Sequence, residues 1–323
     1  MSHRDERHDS IAEMTSATDS MPVHWRRCPV CQSGQCASVW IKGGLRVVQC
    51  VRCTMRYANP VGAELVNGEF YHHLAEPFYL SSDKLAGDYA PVRFARERRI
   101  FRRHCRNGRV LDVGCSTGGF LHSLNRLFPG NYNVLGMDVA GPALDHAEQQ
   151  GLSVVRQPFL DTSLAPSSFD AITFWAVLEH LDEPRAFLAR AASLLKPGGH
   201  CFVLVPNLDS LAIRILGSRY RYVMAEHMNY FSRQTLLQLA RHVPELEVVD
   251  LRSTHFNPVV IWQDWRSPQE RVPDAARAAL LRRTTRWKQS TALAPVRWAC
   301  SGVELLLGKM NRADNLVLVL RRL

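Results

Sequence analysis

From Arg109 to the end of the chain, short apolar runs alternate with longer stretches of helical period. The runs are RVLDVG, NVLGMDV, SVVRQ, FDAITFW, HCFVLVP, LEVVDLR and NLVLVLRR. Their length and β-branched content read as buried strands. GGFLHSLNRLF, GPALDHAEQQ and PRAFLARAASLL carry apolar residues at helical spacing instead. Strands alternating with helices predict α/β architecture with a doubly wound, largely parallel sheet. KPGG, after the last of these helices, reads as a helix stop followed by a turn. Between the last two runs lie about sixty residues, 255–313, of mainly helical character, an insertion before the closing strand.

Upstream the pattern changes. Residues 1–22 are polar and charged and predict a disordered tail; residues 23–60 are cysteine-rich; residues 61–107 read as a helical cap or linker with scattered aromatics, Phe70, Tyr71, Phe78, Tyr79 and Tyr89. The domain carrying the sheet is expected over 108–323. No run approaches the roughly 18 apolar residues of a membrane span, and the start has no apolar stretch like a signal peptide. The expected location is the cytoplasm.

Charge changes the picture in two places. The net charge is +10, with eight arginines against one glutamate in 92–109 and ten Arg or Lys against three acids in 266–312. Such flanks suit an anionic partner, namely a phosphorylated substrate, a nucleic acid or a membrane surface; solvated arginine-rich helix faces are the alternative.

The candidate chemistry centres on LDVGCSTGGF, Leu111 to Phe120. It reads as strand, tight turn and helix, the place where an open parallel sheet binds ligands. Gly114 and Gly118 let the backbone pass close to a ligand. A dinucleotide site wants G-x-G-x-x-G, and here Ser116 stands where the middle glycine would be, a poor pyrophosphate cradle. Asp138 ends the next strand, where a carboxylate can accept both hydroxyls of a ribose.

Together these segments resemble the class I S-adenosylmethionine-dependent methyltransferases over Arg109–Pro206: LDVGCSTG, GMDVA, SSFDAITFWAVLEHLDEP and LLKPGGHCFVLVPN match successive motifs. The resemblance implies a Rossmann-like, seven-stranded sheet whose last strand, DNLVLVLRR, is reversed. It also implies S-adenosyl-L-methionine as cofactor, with Asp112, Gly114, Cys115 and Gly118 along its methionine and ribose side. Asp138 would bind the ribose hydroxyls, Val139 would lie beside the adenine, and Phe159 and Leu160 would flank that ring. Pro158 occupies the place of an aspartate that often meets the adenine amino group, so Asp161 or backbone would make that contact. Phe174 and Trp175 would face cofactor or acceptor, core packing being the alternative.

Cys28 and Cys31 are separated from Cys50 and Cys53 by eighteen residues, the C-x₂-C-x₁₅₋₂₀-C-x₂-C spacing of a four-thiolate zinc site. A closed shell of four sulfurs is structural and leaves no position for water. The competing reading is two redox dithiols. VWIKGGLRVVQC reads as a hairpin-like link, and MRYANP follows directly. This arrangement resembles a bacterial methyltransferase subgroup with an N-terminal zinc-binding domain, in which a tyrosine-bearing helical segment covers the acceptor pocket.

In AEHMNYFSRQTLLQLA, Ser232 reads as a helix N-cap, which puts His227 and Tyr230 on the preceding loop. A His-x-x-Tyr-Phe segment approaches the acceptor in the resembling subgroup, so His227 would take the acceptor proton or orient its hydroxyl, with Tyr230 nearby. His180, in LEHLDEP, reads as starting and anchoring a helix. The expected activity is methyl transfer to a small or carrier-bound metabolite, a sugar or other hydroxylated compound. The rivals are a zinc-ribbon RNA methyltransferase and a non-catalytic cofactor-binding protein. FWAVLEH differs from the Asn-Pro-Pro-aromatic motif used on base amino groups, and the cysteine segment lacks interleaved basic and aromatic residues, so nucleic acid is disfavoured. The basic insertion, with Trp287 and Trp298, suits a helical lid, a dimer interface or an amphipathic helix at a membrane surface.

Overall fold

The structure is a computed structural model that describes residues 22–266, 274–289 and 294–323. Residues 1–21, the bulk of the polar tail, and two segments of the insertion, 267–273 and 290–293, lie outside the described residues.

The cysteine-rich segment forms β1 (Val23–His24), β2 (Cys36–Lys42), β3 (Leu45–Cys50), β4 (Arg56–Ala58) and β5 (Val61–Gly62). β2 and β3 are a hairpin closed by Gly43 and Gly44, whose φ angles of +51° and +81° supply the twist that a two-residue turn requires. Short helices follow over Ala63–Asn67, Glu69–Leu74 and Ser82–Asp88, then a longer one over Ala95–His104.

The seven apolar runs become the seven strands of one sheet. They are β6 (Gly108–Val113), β7 (Tyr132–Met137), β8 (Ser153–Val155), β9 (Phe169–Trp175) and β10 (Leu195–Pro206), then β12 (Leu246–Thr254) and β13 (Asn315–Arg322) after the two-residue β11 (Asn229–Tyr230). The order is β8-β7-β6-β9-β10-β13-β12, and β13 runs antiparallel to both of its neighbours. KPGG departs from the expected turn. β10 begins at Leu195 directly after the helix, and the residues to His200 are absorbed as an irregularity in its pairing with β9.

Alternate residues of each strand face opposite layers. Leu111, Phe174, Val203 and Leu318 pack under the helices Pro184–Leu194 and Arg233–Arg241. Val110, Ala171, Phe202 and Val317 pack under Ala95–His104, Gly119–Leu127 and Gly141–Gln149. The first layer also takes in Val30, Val48, Met55 and Tyr57 from the cysteine-rich segment. β11 adds to β4 to make a four-stranded sheet with β3 and β2, so one edge of that sheet is built from the far half of the chain. The buried guanidinium of Arg26 reinforces the seam: Nε donates to Asp182 Oδ1 at 2.5 Å, and the terminal nitrogens reach Met228 O and Asn229 Oδ1 at 3.1 and 3.0 Å.

The insertion supplies helices Pro258–Arg266, Asp274–Gln289 and Ala294–Lys309. The second lies close on Ser82–Asp88, where a Cβ at Gly87 would stand 2.8 Å from Leu281 Cγ. The third lies on β12, where a Cβ at Gly308 would stand 2.9 Å from Ser253 O. Trp298, Leu305 and Leu306 of that helix are exposed. Among the described residues no helix is long and apolar enough to cross a membrane.

Candidate active site

The carboxyl ends of β6, β7 and β9 meet at the glycine turn. Gly114 and Gly118 have φ of +76° and +80°, and Ser116 joins them at +51°. The position that lacks a glycine is therefore left-handed all the same, with a serine that tolerates it. Its backbone N–H donates to Asp138 Oδ2 at 2.7 Å, while Ala140 N–H donates to Oδ1 at 2.8 Å. The carboxylate at the end of β7 thus clamps the turn; burial pushes its pKa up against the pull of these amides. Asp112 lies buried beneath, accepting from Thr173 Oγ1 at 2.6 Å, and burial, aided by the charge of Asp138, pushes its carboxyl up to about 7.

The other residues expected around the cofactor divide. Val139 is exposed beside the turn and faces Gly68, the left-handed C-cap of helix Ala63–Asn67. Tyr71 and Tyr79 pack on Ala140 and Ala143 just beyond it, so the helical segment covers this end of the sheet. Leu160 is exposed next to the buried Phe159. The Phe159 ring stacks on Phe187 and meets Phe174 edge-on, and both Phe159 and Phe174 belong to the core. Trp175 points to the opposite layer, against Phe120 and Phe202, with its indole N–H unpartnered. The Cys115 side chain is also core, packed where Gly136 leaves room, with its thiol donating to Ser116 O at 3.6 Å. Asp161 is exposed.

Opposite the turn stands a cluster of imidazoles. Glu179 and His180 lie in a 3₁₀ turn, Leu178–His180, directly after β9, and the helix they were expected to start begins only at Pro184. His180 Nδ1 is 2.8 Å from Glu226 O and 3.0 Å from Tyr71 Oη. His227 Nδ1 is 2.8 Å from Tyr222 O, and the two rings sit 4.8 Å apart, edge to face. A carbonyl only accepts, so Nδ1 carries the proton and Nε2 the lone pair in both rings. Burial lowers both, His180 to about 4, and raises Glu179 to about 8. Glu226 pairs with Arg277 of the insertion at 3.0 Å, and that guanidinium lies 4.7 Å over the Phe78 ring.

Tyr230 is placed differently from expectation. It belongs to β11 and not to a loop, its hydroxyl donates to Met224 O at 3.1 Å, and its ring packs with Val47, Ile213, Tyr220 and Trp40.

Residues 89–248 match the family model of a methyltransferase domain. The chain is 31% identical over 171 residues to the ubiquinone biosynthesis O-methyltransferase of Burkholderia pseudomallei, covering 48% of this chain and 72% of that protein. It is 28% identical over 165 residues to the enzyme of the same name from Cupriavidus pinatubonensis, covering 47% and 65%. The chain belongs to the class I S-adenosylmethionine-dependent methyltransferases. The fold agrees with a chain in the complex between the Haloferax volcanii Trm112 methyltransferase activator and its methyltransferase, at 16% identity and a TM-score of 0.51, over 78% of this chain and 97% of that one.

This methyltransferase holds its four paired cysteines as free thiols around one point. Cys28 and Cys53 sulfurs are 3.4 Å apart, Cys31 and Cys50 sulfurs 3.5 Å, and all four lie within 4.8 Å of one another. Tetrahedral bonds of about 2.3 Å place sulfurs roughly 3.8 Å apart, so the donor set fits zinc.

Two parts of the methyltransferase site escape sequence reading. One is the underside of the turn. Asp88 is buried between Lys84 and Arg93 and accepts from Thr117 Oγ1 at 3.4 Å, and the Tyr89 hydroxyl donates to Thr117 O. The other is the meeting of Tyr71, Glu179, His180, Tyr222 and Glu226 with His227. These residues come from three distant segments; the sequence pointed to His227 and to a tyrosine-bearing cap, but not to their meeting with Glu179 and His180.

Proposed function

We propose that the protein is an O-methyltransferase acting on a small or carrier-bound hydroxylated metabolite. The cofactor end is the turn around Gly114 and Gly118 with Asp138, and the acceptor end is the cluster around His227. The observation that carries this reading is their juxtaposition: Val177, two residues before Glu179, lies against Gly114, where an added Cβ would stand 2.5 Å from its Cγ2. Oxygen as the methylated atom is supported by the likeness to the ubiquinone biosynthesis O-methyltransferases.

S-adenosylmethionine, when bound, supplies a methyl group already activated by sulfonium charge. The chain's own part is then mainly positional, and holding donor and acceptor in line can contribute roughly 7–11 kcal/mol. In this reading Asp138 accepts the ribose hydroxyls, and the Tyr71–Tyr79 segment excludes water. His227 takes the acceptor proton or orients its hydroxyl; its Nε2 carries the lone pair at neutral pH. Cys28, Cys31, Cys50 and Cys53 hold a structural zinc ion.

The basic flank 92–109 gives little support to a nucleic-acid partner. Arg93 and Arg96 pair with Asp88 and Glu304, Arg98 donates to Pro91 O, and Arg102 and Arg109 lie over Phe128 and Phe169.

Calorimetry with S-adenosylmethionine and its demethylated product tests the cofactor end. One molecule should bind per chain, and Asp138→Ala should weaken binding about 100-fold through two lost charge-assisted hydrogen bonds. Absence of binding to either molecule would refute the assignment. Transfer of labelled methyl to a panel of hydroxylated acceptors, with His227→Ala alongside, tests the acceptor end.

A further inference from the structure

We propose that Glu179, His180 and His227 form a binding site for a divalent transition-metal ion, separate from the four-cysteine site and set at the acceptor end of the cleft. The inference rests on the function proposed above only for what the ion would hold, not for the site itself.

Donor atoms of the three side chains lie within 4.8 Å of one another. His180 Nε2 is 4.0 Å from Glu179 Oε1, too far for a hydrogen bond, so no acid–imidazole bond accounts for the cluster. Tetrahedral bonds of about 2.1 Å would set donors roughly 3.4 Å apart, within reach of small side-chain rotations.

Each imidazole is prepared in the way metal-binding histidines are: its Nδ1–H is spent on a backbone carbonyl, Glu226 O or Tyr222 O, which fixes the tautomer and turns the Nε2 lone pair toward other partners. Glu179 is 1% exposed and its Oε2 has no hydrogen-bond partner. An unpartnered buried polar atom costs about 1–3 kcal/mol and calls for an occupant. Two imidazoles and one carboxylate make a donor set suited to Zn²⁺, Fe²⁺, Co²⁺ or Mn²⁺, and three protein ligands leave positions open for substrate.

The open positions would take the acceptor oxygen. A hydroxyl bound to such an ion loses its proton to solvent more readily. Its oxygen then forms the bond to the methyl carbon as the carbon–sulfur bond breaks, and the electron pair stays on sulfur as a neutral thioether. Of the two roles open to His227, this assigns orientation through the ion.

The test uses full-length, zinc-replete protein and Mn²⁺, which thiolates bind poorly. Electron paramagnetic resonance should show one Mn²⁺ bound per chain, and Glu179→Gln and His180→Ala should each weaken that binding at least about ten-fold. Elemental analysis after zinc saturation should give two ions per wild-type chain, one in either variant, and one in Cys28→Ser. A wild-type chain that takes up a single zinc and no Mn²⁺ or Co²⁺ overturns the proposal, as does uptake unchanged in both variants. Wild-type protein that binds Mn²⁺ but not S-adenosylmethionine removes the proposed function and leaves the site standing.

Discussion

At the scale of single residues, the glycine turn shows why its irregular sequence is workable. Ser116 takes the left-handed conformation because its amide is bonded to Asp138, and that bond offsets a backbone cost of about 1–2 kcal/mol. Gly118 has no such leeway: a Cβ there would stand 2.2 Å from Leu152 Cδ1, at a φ of +80°. Gly118→Ala should cost about 1–3 kcal/mol and lower the melting temperature by several degrees, while also weakening cofactor binding. Thermal unfolding with and without S-adenosylmethionine checks both parts, and an unchanged melting point would show that the turn can adapt. The importance of Gly114, Gly118 and Asp138 was legible in the sequence because backbone geometry and strand-end position follow from local pattern. The inward direction of Phe159, Phe174 and Cys115 was not, since it depends on which layer each strand residue meets.

Among elements, the helix Ala95–His104 is the joint between the sheet and the insertion. Glu97 is buried on it and sits 3.2 Å from His255 Nε2, while the neighbouring Arg96 pairs with Glu304 of the last insertion helix. Burial alone would raise the Glu97 carboxyl, but the hydrogen bond and charge of His255, with Arg93, hold it down at about 2. Its folded pKa lies below the ordinary value, so its contribution is present above about pH 4.5 and is lost as pH falls toward 2. The size is on the order of 3 kcal/mol. Acid unfolding followed by circular dichroism should therefore show a shallower loss of stability between pH 5 and 3 in Glu97→Gln than in wild type. A parallel slope would remove the pair from the account. All seven strands could be read from apolar runs. The insertion's docking could not, because it rests on ion pairs between residues some two hundred positions apart, such as Arg282 with Asp83 at 2.5 Å. His227 was legible as an acceptor-side residue, but its meeting with His180, which lies in a motif read as a helix start, was hidden in the same way.

On the scale of the whole molecule, the cysteine-rich segment shares its apolar cluster with the central sheet, and β4–β11 pairing and Arg26 tie the two together. Removing metal should therefore act beyond the segment itself. Chelation, or Cys28→Ser, should lower a single unfolding transition by on the order of 10 °C rather than split it in two. Cofactor affinity should fall with it, since Asn229 also anchors Leu178 O and Leu181 O beside the imidazoles. Two resolved calorimetric transitions, with only the smaller sensitive to chelator, would show that the segment folds as an independent bead.

The position of β11 also bears on how the chain is made. All four cysteines have been synthesised by Cys53, so the thiolate cluster can assemble before the rest of its sheet exists. The strand that completes its sheet, Asn229–Tyr230, and the Asp182 carboxylate that receives Arg26 emerge only much later. The nascent sheet must keep the edge of β4 open while the residues between Ala58 and Asn229 emerge. A metal ion gripping its four sulfurs would hold that edge in register until the far half of the chain arrives to cover it.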